Sequence, residues 1–471
     1  MPSSRMSTSN TQKQSHILMA TSEGAEHSLA GSGIRTTQLA QVLSLKYKVT
    51  VVSPWADQIA GNLGNSNLHW VGLGAPGTEL LDSSLVILQA FSSRNLLSGL
   101  TNTKDKYIVV DFYCPFWLEN SISIADLNSS FKYQIRIDID EVRDQLRIGD
   151  FFICATMRQR DMLIGMLSVI GRITPAQLHH DPALTSLIGI VPFGLTSNDF
   201  SATGQTVQSL MPAATREDRT FVWGGGIHDW LDVETPIRAM IALRDRRPKV
   251  RLLFATNRSH PEHDSRRAAL RAQLMAEDAG LLGKSVHFLD GWVPYDQRDR
   301  YLRGATAGIV CHQDHVETRF AFRTRVLDYL WAGLPIVTSD GDEFADLVRK
   351  FDLGIVVPPG DPQALANAFV NLVERIDAGE PFKDRIASIR PLYHWNEVAK
   401  PLLEFCANPR KTAHLGDQVL MAGLPDVMTP RREVSRLLYR TMTVLRNEGP
   451  KTVVRKVARK MLTLLRRARS G

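Results

Sequence analysis

The sequence predicts an α/β protein with two doubly wound domains that face each other across a cleft. Two successive series of short apolar runs separated by helical stretches support this prediction, one over residues 16–200 and one over residues 219–392. The runs are continuously apolar, as expected for parallel strands that are buried on both faces. The polar stretch 201–218 between the two series is predicted to be a linker.

The two ends of the chain differ from its body. Residues 1–15 are polar and lack the apolar core of a signal peptide, so we expect a disordered lead-in. Residues 393–409 predict one closing helix, and residues 410–471 predict a basic tail. Between Pro430 and Gly471, thirteen Lys and Arg face two Glu, a net charge of +11, so the rest of this +7 chain carries −4.

An amphipathic pattern runs through the tail in VVRKVARKMLTLLRRAR. Val453, Val457, Met461 and Leu464 share one helical face, while Lys and Arg occupy the other sectors. This pattern favours a helix that lies on an anionic membrane surface. A solvated helix packed on the body and a nucleic-acid-binding helix are the alternatives, but no aromatic residues are interleaved for base stacking.

Cysteine usage and hydropathy bear on the compartment. The four cysteines are far apart and form no C-x-x-C pair, which argues against a disulfide framework or a zinc ribbon. No apolar run approaches the ~18 residues of a membrane span. We therefore expect a cytoplasmic protein, either free or held at the inner face of the cell membrane as a peripheral protein.

The stretch 317–341, ETRFAFRTRVLDYLWAGLPIVTSDG, places Arg319, Arg323 and Arg325 around a predicted helix start, where positive charge opposes the helix dipole. A phosphate would neutralise both the arginine charge and the positive end of the helix dipole, because free backbone N–H groups and arginine forks donate to it. Asp328 follows Arg325 by three residues and is suited to accept ribose hydroxyls. The pattern suggests a nucleoside diphosphate only slightly ahead of a surface ion pair.

A second basic helix start is predicted near the N-terminus. Gly31 and Gly33 follow the first predicted strand, and glycines at such a turn let backbone N–H groups approach a phosphate. Arg35 lies in the first turn of the helix that follows, so it could grip the same diphosphate from the other domain. A tight turn without a ligand is the alternative for an isolated Gly-x-Gly.

Residues 324–337, TRVLDYLWAGLPIV, resemble the donor-site helix of glycosyltransferase family 4, whose motif reads Asn-Lys-x-x-Glu-Tyr-x-Ala-x-Gly-x-Pro-Val-Val or a close variant. GIVVPPGDPQALANAF is similar to the last strand and final helix of that domain, and the resemblance covers residues 16–409. It implies the GT-B architecture of two Rossmann-like domains. It also implies that Arg325 lies near the diphosphate of a nucleotide-sugar and that Asp328 binds its ribose.

Carboxylates depart from the family pattern. Relatives carry a second glutamate eight residues before the ribose-binding one, and that position is Phe320 here. Glu317 is therefore the displaced candidate for the carboxylate that contacts the sugar. Relatives also place a histidine or an acid near the end of the fourth predicted strand. There, Asp111 is a candidate catalytic acid, and Tyr113 and Glu119 are candidate acceptor contacts.

Basic residues depart from the pattern as well. Relatives have an Arg and a Lys shortly after the first strand of the second domain, but residues 224–230 read GGGIHDW. Gly225 and Gly226 remain candidates for donor binding in this loop. Arg319 and Arg323, together with the arginine at the ribose-binding helix, are expected to supply the missing positive charge to the donor.

The resemblance and the residues together predict a retaining, metal-independent glycosyltransferase of the hexosyltransferase type, with the nucleotide-sugar as substrate and no cofactor. Arg325 would stabilise the departing diphosphate, and Glu317 or Asp111 the cation-like sugar. The tail suggests a saccharide or lipid-linked acceptor in surface polysaccharide or glycolipid assembly, and no nucleic acid partner is expected. Alternatives are a non-catalytic assembly protein that binds nucleotide-sugar or polysaccharide, and a nucleotide-sugar epimerase of the same fold.

A D-x-D motif points to a different chemistry. Asp138 and Asp140 have the spacing of the metal-binding motif of the other major glycosyltransferase architecture. The twin-domain pattern argues against that architecture, and the alternation in QIRIDIDEV predicts an exposed strand or turn. No metal site is predicted.

Overall fold

The computed structural model describes eleven stretches of the chain. They are residues 16–21, 31–53, 66–72, 82–89, 105–122, 129–196, 198–201, 203–212, 214–247, 249–258 and 267–412. The predicted lead-in 1–15, the loop 22–30 before Gly31 and the tail from residue 413 onward lie outside the described residues. What the sequence predicts for them therefore stays a prediction.

The first sheet has seven parallel strands in the order β3-β2-β1-β4-β5-β6-β7. These strands are β1 (His16–Ala20), β2 (Lys48–Val52), β3 (Leu68–Val71), β4 (Leu85–Gln89), β5 (Tyr107–Asp111), β6 (Phe151–Cys154) and β7 (Ile188–Ile190). The sequence did not predict β3. It is a four-residue edge strand in which only Leu68 is buried, so it lacks the continuous apolar run of its neighbours.

The second sheet has six parallel strands in the order β10-β9-β8-β11-β12-β13. These strands are β8 (Arg219–Trp223), β9 (Val250–Phe254), β10 (Val286–Phe288), β11 (Ala307–Val310), β12 (Ile336–Ser339) and β13 (Gly354–Val357). All six were predicted from apolar runs. The fold of two doubly wound parallel sheets is thus confirmed.

Fifteen helices lie in the described residues. They are α1 (Gly31–Ser44), α2 (Phe116–Ile122), α3 (Ser129–Ile148), α4 (Met157–Val169), α5 (Pro175–His180), α6 (Glu234–Leu243), α7 (Arg267–Asp278), α8 (Asp299–Leu302), α9 (Val316–Phe320), α10 (Arg325–Ala332), α11 (Glu343–Phe351), α12 (Pro362–Asp377), α13 (Phe382–Ile389), α14 (Trp395–Val398) and α15 (Lys400–Ala407). None of the helices in these stretches combines the length and the apolar character needed to cross a membrane. The D-x-D motif lies within α3, so the predicted strand or turn was wrong. The apolar residues of this segment serve one face of a helix.

The last helices return to the first sheet. The N–H of Leu195, just after β7, donates to the carbonyl of Tyr393, and the N–H of Trp395 donates to the carbonyl of Leu195. The ring of Phe405 stacks on Phe151 of β6 with centroids 4.5 Å apart. One closing helix was predicted here, but α14 and α15 are separate. Pro401 lacks the N–H that would continue the first helix into the second.

The linker 201–218 packs against the second sheet's half of the protein. Val207 is buried and its N–H donates to the carbonyl of Arg303, at the end of α8. The Arg303 guanidinium returns a hydrogen bond from Nε to the carbonyl of Ser201, at 2.9 Å. The described residues of this polar segment are therefore packed against the body of the protein.

Tyr329 of α10 packs on Gly308 of β11 at the centre of the second sheet. A Cβ atom at Gly308 would lie 2.2 Å from the Tyr329 ring, a distance that no side chain can accommodate. The ring is fully buried, and its hydroxyl bonds to the carbonyls of Val222 and Ile309, each at 3.0 Å. Close approach of α10 to the sheet thus depends on the glycine.

We expect Gly308→Ala to lower the free energy of unfolding by about 3 kcal/mol or more, because the added methyl group must displace a packed aromatic ring. Gly165→Ala is the matched control. Gly165 lies inside α4 with open space around its Cα, so alanine there should stabilise the protein by about 0.5–1 kcal/mol. Urea denaturation followed by circular dichroism measures both. Equal stabilities would contradict the packing argument.

Candidate functional site

The two sheets face each other through the segments that follow their strands. The side-chain amide of Gln159, in the first turn of α4, donates to the carbonyl of Tyr113 at 2.8 Å and to the carbonyl of Phe320 at 2.7 Å. The rings of Phe193 and Phe322 stack across the same boundary with centroids 6.3 Å apart. The carboxyl ends of the strands in both sheets therefore border one cleft, the place where ligands of such sheets bind.

Arg35 and Asp111 form a buried ion pair under the first sheet's side of the cleft. Arg35 Nε lies 2.6 Å from Asp111 Oδ2, and Nη2 lies 2.9 Å from Oδ1. Arg35 is fully buried, and its Nη1 donates to the carbonyl of Pro192. Burial raises the pKa of Asp111, although the guanidinium opposes this effect.

This pairing changes both predictions for that region. The charge of Arg35 was expected to meet a diphosphate, and Asp111 was expected to stabilise a sugar cation. In the structure each residue neutralises the other, and all the hydrogen-bonding atoms of the carboxylate face the guanidinium. The two residues are 76 positions apart, so no local sequence pattern could reveal the pair.

The other predicted residues of the first half lie around this pair. Gly31 begins α1, and a Cβ there would lie 3.8 Å from Phe193 and 3.9 Å from the Tyr113 hydroxyl; Gly33 is buried in the same turn. The Tyr113 side chain is buried, with its ring centre 5.3 Å from the Arg35 guanidinium. The predicted contact of Tyr113 with the acceptor must therefore be made by its hydroxyl group, because the Arg35 guanidinium already covers the face of the ring.

Glu317 and Arg323 form a second forked ion pair. Arg323 Nη1 donates to Glu317 Oε1 at 2.9 Å, and Nη2 donates to Oε2 at 2.7 Å. The Glu317 side chain is fully buried and that of Arg323 is 6% exposed. Glu317 was predicted to contact the sugar and Arg323 to serve the diphosphate. The structure shows that the two groups engage each other, and their contacts with the sugar and the diphosphate stay predictions.

Glu119 of α2 approaches this pair from the first half. Burial raises the pKa of Glu119 to about 8, and the negative charge of Glu317 adds to the effect while Arg323 opposes it. A raised pKa favours the neutral form of this carboxyl group. A neutral carboxyl can donate a hydrogen bond into the cleft as well as accept one.

Arg325, the first residue of α10, forms no ion pair with a carboxylate in the part of the chain that the structure describes. Its Nη2 donates to the carbonyl of Gly226 at 2.8 Å, and its guanidinium lies 4.7 Å from the centre of the Trp223 ring. Its Nη1 has no hydrogen-bond partner among the described residues. Burial lowers the pKa of Arg325 to about 10, with repulsion from Arg323 as a further cause. An anion at this position would relieve the desolvation of the guanidinium.

A glycine loop after β8 surrounds Arg325. The N–H of Gly224 donates to the hydroxyl of Tyr329 at 2.9 Å, and Gly225 has a φ of +70°, which a residue with a Cβ rarely adopts. These features turn the carbonyl of Gly226 towards the arginine. The predicted glycines therefore shape the floor of the site.

Asp328 is held by a residue that the sequence analysis missed. Arg298, next to the start of α8, donates from Nε to Asp328 Oδ1 at 2.8 Å. The Arg298 guanidinium lies 3.8 Å from the centre of the Tyr295 ring and 4.2 Å from that of Trp331. Burial raises the pKa of Asp328, and the charge of Arg298 opposes this. Within the described stretches Oδ2 accepts no hydrogen bond, so it remains available to a ligand.

Arg319 lies elsewhere, on the wall of a separate cavity of about 510 Å³. Arg158 of α4 contributes one side of this cavity from the first half of the protein. The second half contributes Asp314, His315, Val316, Thr318, Arg319 and Gly341. Among the residues that the structure describes, no three His, Cys, Asp or Glu side chains are grouped so that they could hold a metal ion.

Comparison with known proteins adds a family and a fold. Residues 218–375 match the family described as "Glycosyl transferases group 1". A phosphatidyl-myo-inositol mannosyltransferase of Mycobacterium leprae (strain TN) is 32% identical over 83 residues, which are 18% of this chain and 22% of that protein. The chain thus spans about a fifth of the length of this curated relative.

Solved structures share the architecture over most of the chain. Sucrose-phosphate synthase from Thermosynechococcus elongatus has a TM-score of 0.56 and 14% identity, and the match covers 84% of this chain and 98% of that one. Anabaena Alr3699/HepE in complex with UDP and glucose has a TM-score of 0.57 and 12% identity, with 83% and 99% covered. At these identities the likeness shows the fold, which is the GT-B architecture expected from the sequence.

The Glu317–Arg323 pair gives a test of the site's internal electrostatics. We expect Arg323→Met to lower the free energy of unfolding by about 3–5 kcal/mol, because it leaves a buried carboxylate without its counter-ion. The double variant Arg323→Met with Glu317→Met should recover most of that loss, since neither charge then remains buried. Guanidinium denaturation measures both. An Arg323→Met protein as stable as the wild type would contradict the pairing.

Proposed function

We propose, from the membership of residues 218–375 in the glycosyl transferases group 1 family, that this chain is a retaining, metal-independent glycosyltransferase that uses a nucleotide-sugar donor. The observation that carries the proposal is Arg325 beside the glycine loop 224–226. It combines a positive charge that no described carboxylate neutralises with a free N–H donor. A diphosphate matches both requirements.

Asp328 suits the ribose of the same donor. It lies one helical turn after Arg325, and Arg298 holds it by one oxygen while the other stays free. A carboxylate oxygen can accept from two vicinal hydroxyls, as the acidic residue of dinucleotide sites does. The ring contacts of Arg298 hold the Arg298–Asp328 pair in place, so the carboxylate is oriented before the nucleotide binds.

In the proposed reaction, the bond between the anomeric carbon and the diphosphate oxygen breaks, and the acceptor oxygen bonds to the same carbon on the same face. The acceptor hydroxyl proton passes to the departing diphosphate oxygen. Negative charge develops on that oxygen in the transition state, where the Arg325 guanidinium would stabilise it. Glu119, whose raised pKa favours the neutral carboxyl group, could orient the acceptor hydroxyl by a hydrogen bond, which supports its role as an acceptor contact.

The acceptor is proposed to be a saccharide or lipid-linked molecule of surface polysaccharide or glycolipid assembly. Support comes from the segment similar to a protein named phosphatidyl-myo-inositol mannosyltransferase, and from the basic amphipathic sequence of residues 430–471. The same tail leads us to propose a cytoplasmic protein that is peripheral at the inner face of the membrane.

A non-catalytic protein that binds nucleotide-sugars or polysaccharide is the second candidate. The specific observation behind it is that Arg323 engages Glu317, the displaced candidate for the carboxylate that contacts the sugar, while the family's own position is Phe320. An epimerase of the same fold would also use the donor site. Incubation with UDP-, GDP-, ADP- and dTDP-sugars separates the three. Transfer supports the proposal, free epimerised sugar supports the epimerase, and binding without turnover supports the second candidate.

We expect Arg325→Ala to lower the turnover number by about 10²–10³-fold, because one donor to the developing charge is lost in a partly desolvated site. Nucleoside diphosphate binding by calorimetry should weaken in parallel. Arg246→Ala, which removes an exposed arginine after α6, is the control and should leave both quantities unchanged. Wild-type turnover in Arg325→Ala would remove this residue from the site.

The tail makes a separate prediction. Deleting residues 430–471 should abolish co-sedimentation with vesicles that contain phosphatidylglycerol, because eleven net positive charges and the apolar stripe are lost together. In the full-length chain, replacing Arg455, Lys456, Arg459 and Lys460 by Gln should weaken binding without removing the apolar stripe. Persistent binding of the deleted protein would show that the tail does not anchor it.

A further inference from the structure

We propose that the cavity between α4 and the ends of β11 and β12 binds a neutral sugar ring of the acceptor. This inference rests on the proposed function and names a substrate class for it. The cavity has a volume of about 510 Å³, within the range of about 300–1,000 Å³ that is usual for small-molecule sites. Its lining combines charged, polar and apolar side chains from both halves of the protein.

The cavity is not the place where the nucleotide is proposed to bind. The order of the second sheet reverses between β8 and β11, and the Gly224–Gly226 loop and Arg325 lie at that crevice. The cavity lies one strand further along, where His315 follows β11 and Gly341 follows β12. It is therefore next to the donor site and open to the first half, which is where an acceptor must approach.

Two unpaired groups of opposite charge line the cavity. Asp314 and Arg319 are both exposed, and neither has an ion-pair or hydrogen-bond partner among the described residues. A sugar hydroxyl both donates and accepts, so a carboxylate and a guanidinium on the lining of one cavity can each bond to a hydroxyl of the same ring. Val316 is 57% exposed at the same wall and offers an apolar surface to the ring's C–H face.

The charge balance favours a neutral sugar over an acidic one. Arg158 is neutralised by Asp346, whose Oδ2 lies 2.6 Å from its Nη2. Its Nη1 donates to the carbonyl of Gly341, so the first half is tied to the second beside the cavity. The remaining charges, on Asp314 and Arg319, cancel. A carboxylate or phosphate on the ligand would find no excess of positive charge here.

His315 is held rigidly on the cavity wall. Its Nδ1 accepts from the N–H of Thr318 at 3.2 Å, so its Nε2 carries the proton and donates to the carbonyl of Trp230. Both ring nitrogens are thereby used inside the protein. The imidazole then forms a fixed surface, and ligand selection falls to Asp314 and Arg319.

The test uses the full-length chain and p-nitrophenyl glycosides of glucose, mannose, galactose and rhamnose as acceptor probes. The variants are Asp314→Asn, Arg319→Gln and the double substitution. We expect the KM for a glycoside that accepts sugar to rise about tenfold in each single variant. The turnover number, the donor KM and the slow hydrolysis of the donor in the absence of acceptor should stay within about twofold. Asp278→Asn and Arg246→Gln, exposed residues remote from the cavity in sequence, are the matched controls.

Saturation-transfer NMR with the same glycosides detects binding independently of turnover. The wild type should transfer saturation to at least one neutral glycoside, and the double variant should not. Absence of binding to every neutral glycoside, preference for a glucuronide, or a raised donor KM in the variants would each overturn the inference. Glycoside binding that depends on Asp314 and Arg319, without turnover of any nucleotide-sugar, would refute the proposed function and leave the sugar site standing.

Discussion

The hydroxyl of Tyr329 is the contact on which the donor side of the cleft depends. Its single proton is shared between the carbonyls of Val222 and Ile309, and its oxygen accepts the N–H of Gly224. These groups belong to the two strands where the order of the second sheet reverses and to the glycine loop that follows β8. Arg325 and Asp328 lie on the same short helix as Tyr329, so placing its ring against the sheet also places both of them.

Arginines around the cleft show how one residue type serves different purposes. Arg35 is balanced by Asp111, Arg323 by Glu317, and Arg298 by Asp328. Removing such charges from water costs several kcal/mol per ion, which only well-aligned partners offset. Arg325 is left with a carbonyl and an aromatic face. Arg325 therefore differs from these three arginines in having no carboxylate among the described residues as its counter-ion.

Side chains of the β6–α4 turn determine how the two halves meet. Gln159 donates both amide protons to carbonyls, one from each half, and its Oε1 accepts a hydrogen bond from the N–H of Ala155. Arg158, the residue before it, reaches Gly341 and Asp346 on the other side. Arg158 therefore ties the first half's wall of the 510 Å³ cavity to the second half of the protein.

The sequence by itself determined the secondary structure of the sheets and the donor helix. Continuous apolar runs reveal buried parallel strands without any partner being known, and α10 begins at Arg325, within the region of the predicted helix start. The short edge strand β3 was not predicted, because a half-exposed strand has no continuous apolar run. Basic helix starts indicated unusual electrostatics, but charge alone does not say whether the counter-ion is a ligand or another side chain.

Only the tertiary structure decided that question. Asp111 and Arg35 are 76 positions apart in the sequence, and Arg298 and Asp328 are 30 apart. At such separations no periodic pattern in the sequence indicates which charges will pair. Glu317, expected at the sugar, forms a forked ion pair with Arg323, which lies six positions later in the chain, beyond the end of α9. Partner choice among charges depends on burial and on orientation in three dimensions. A linear pattern specifies which elements form, and the packing of those elements specifies which charges remain for a substrate.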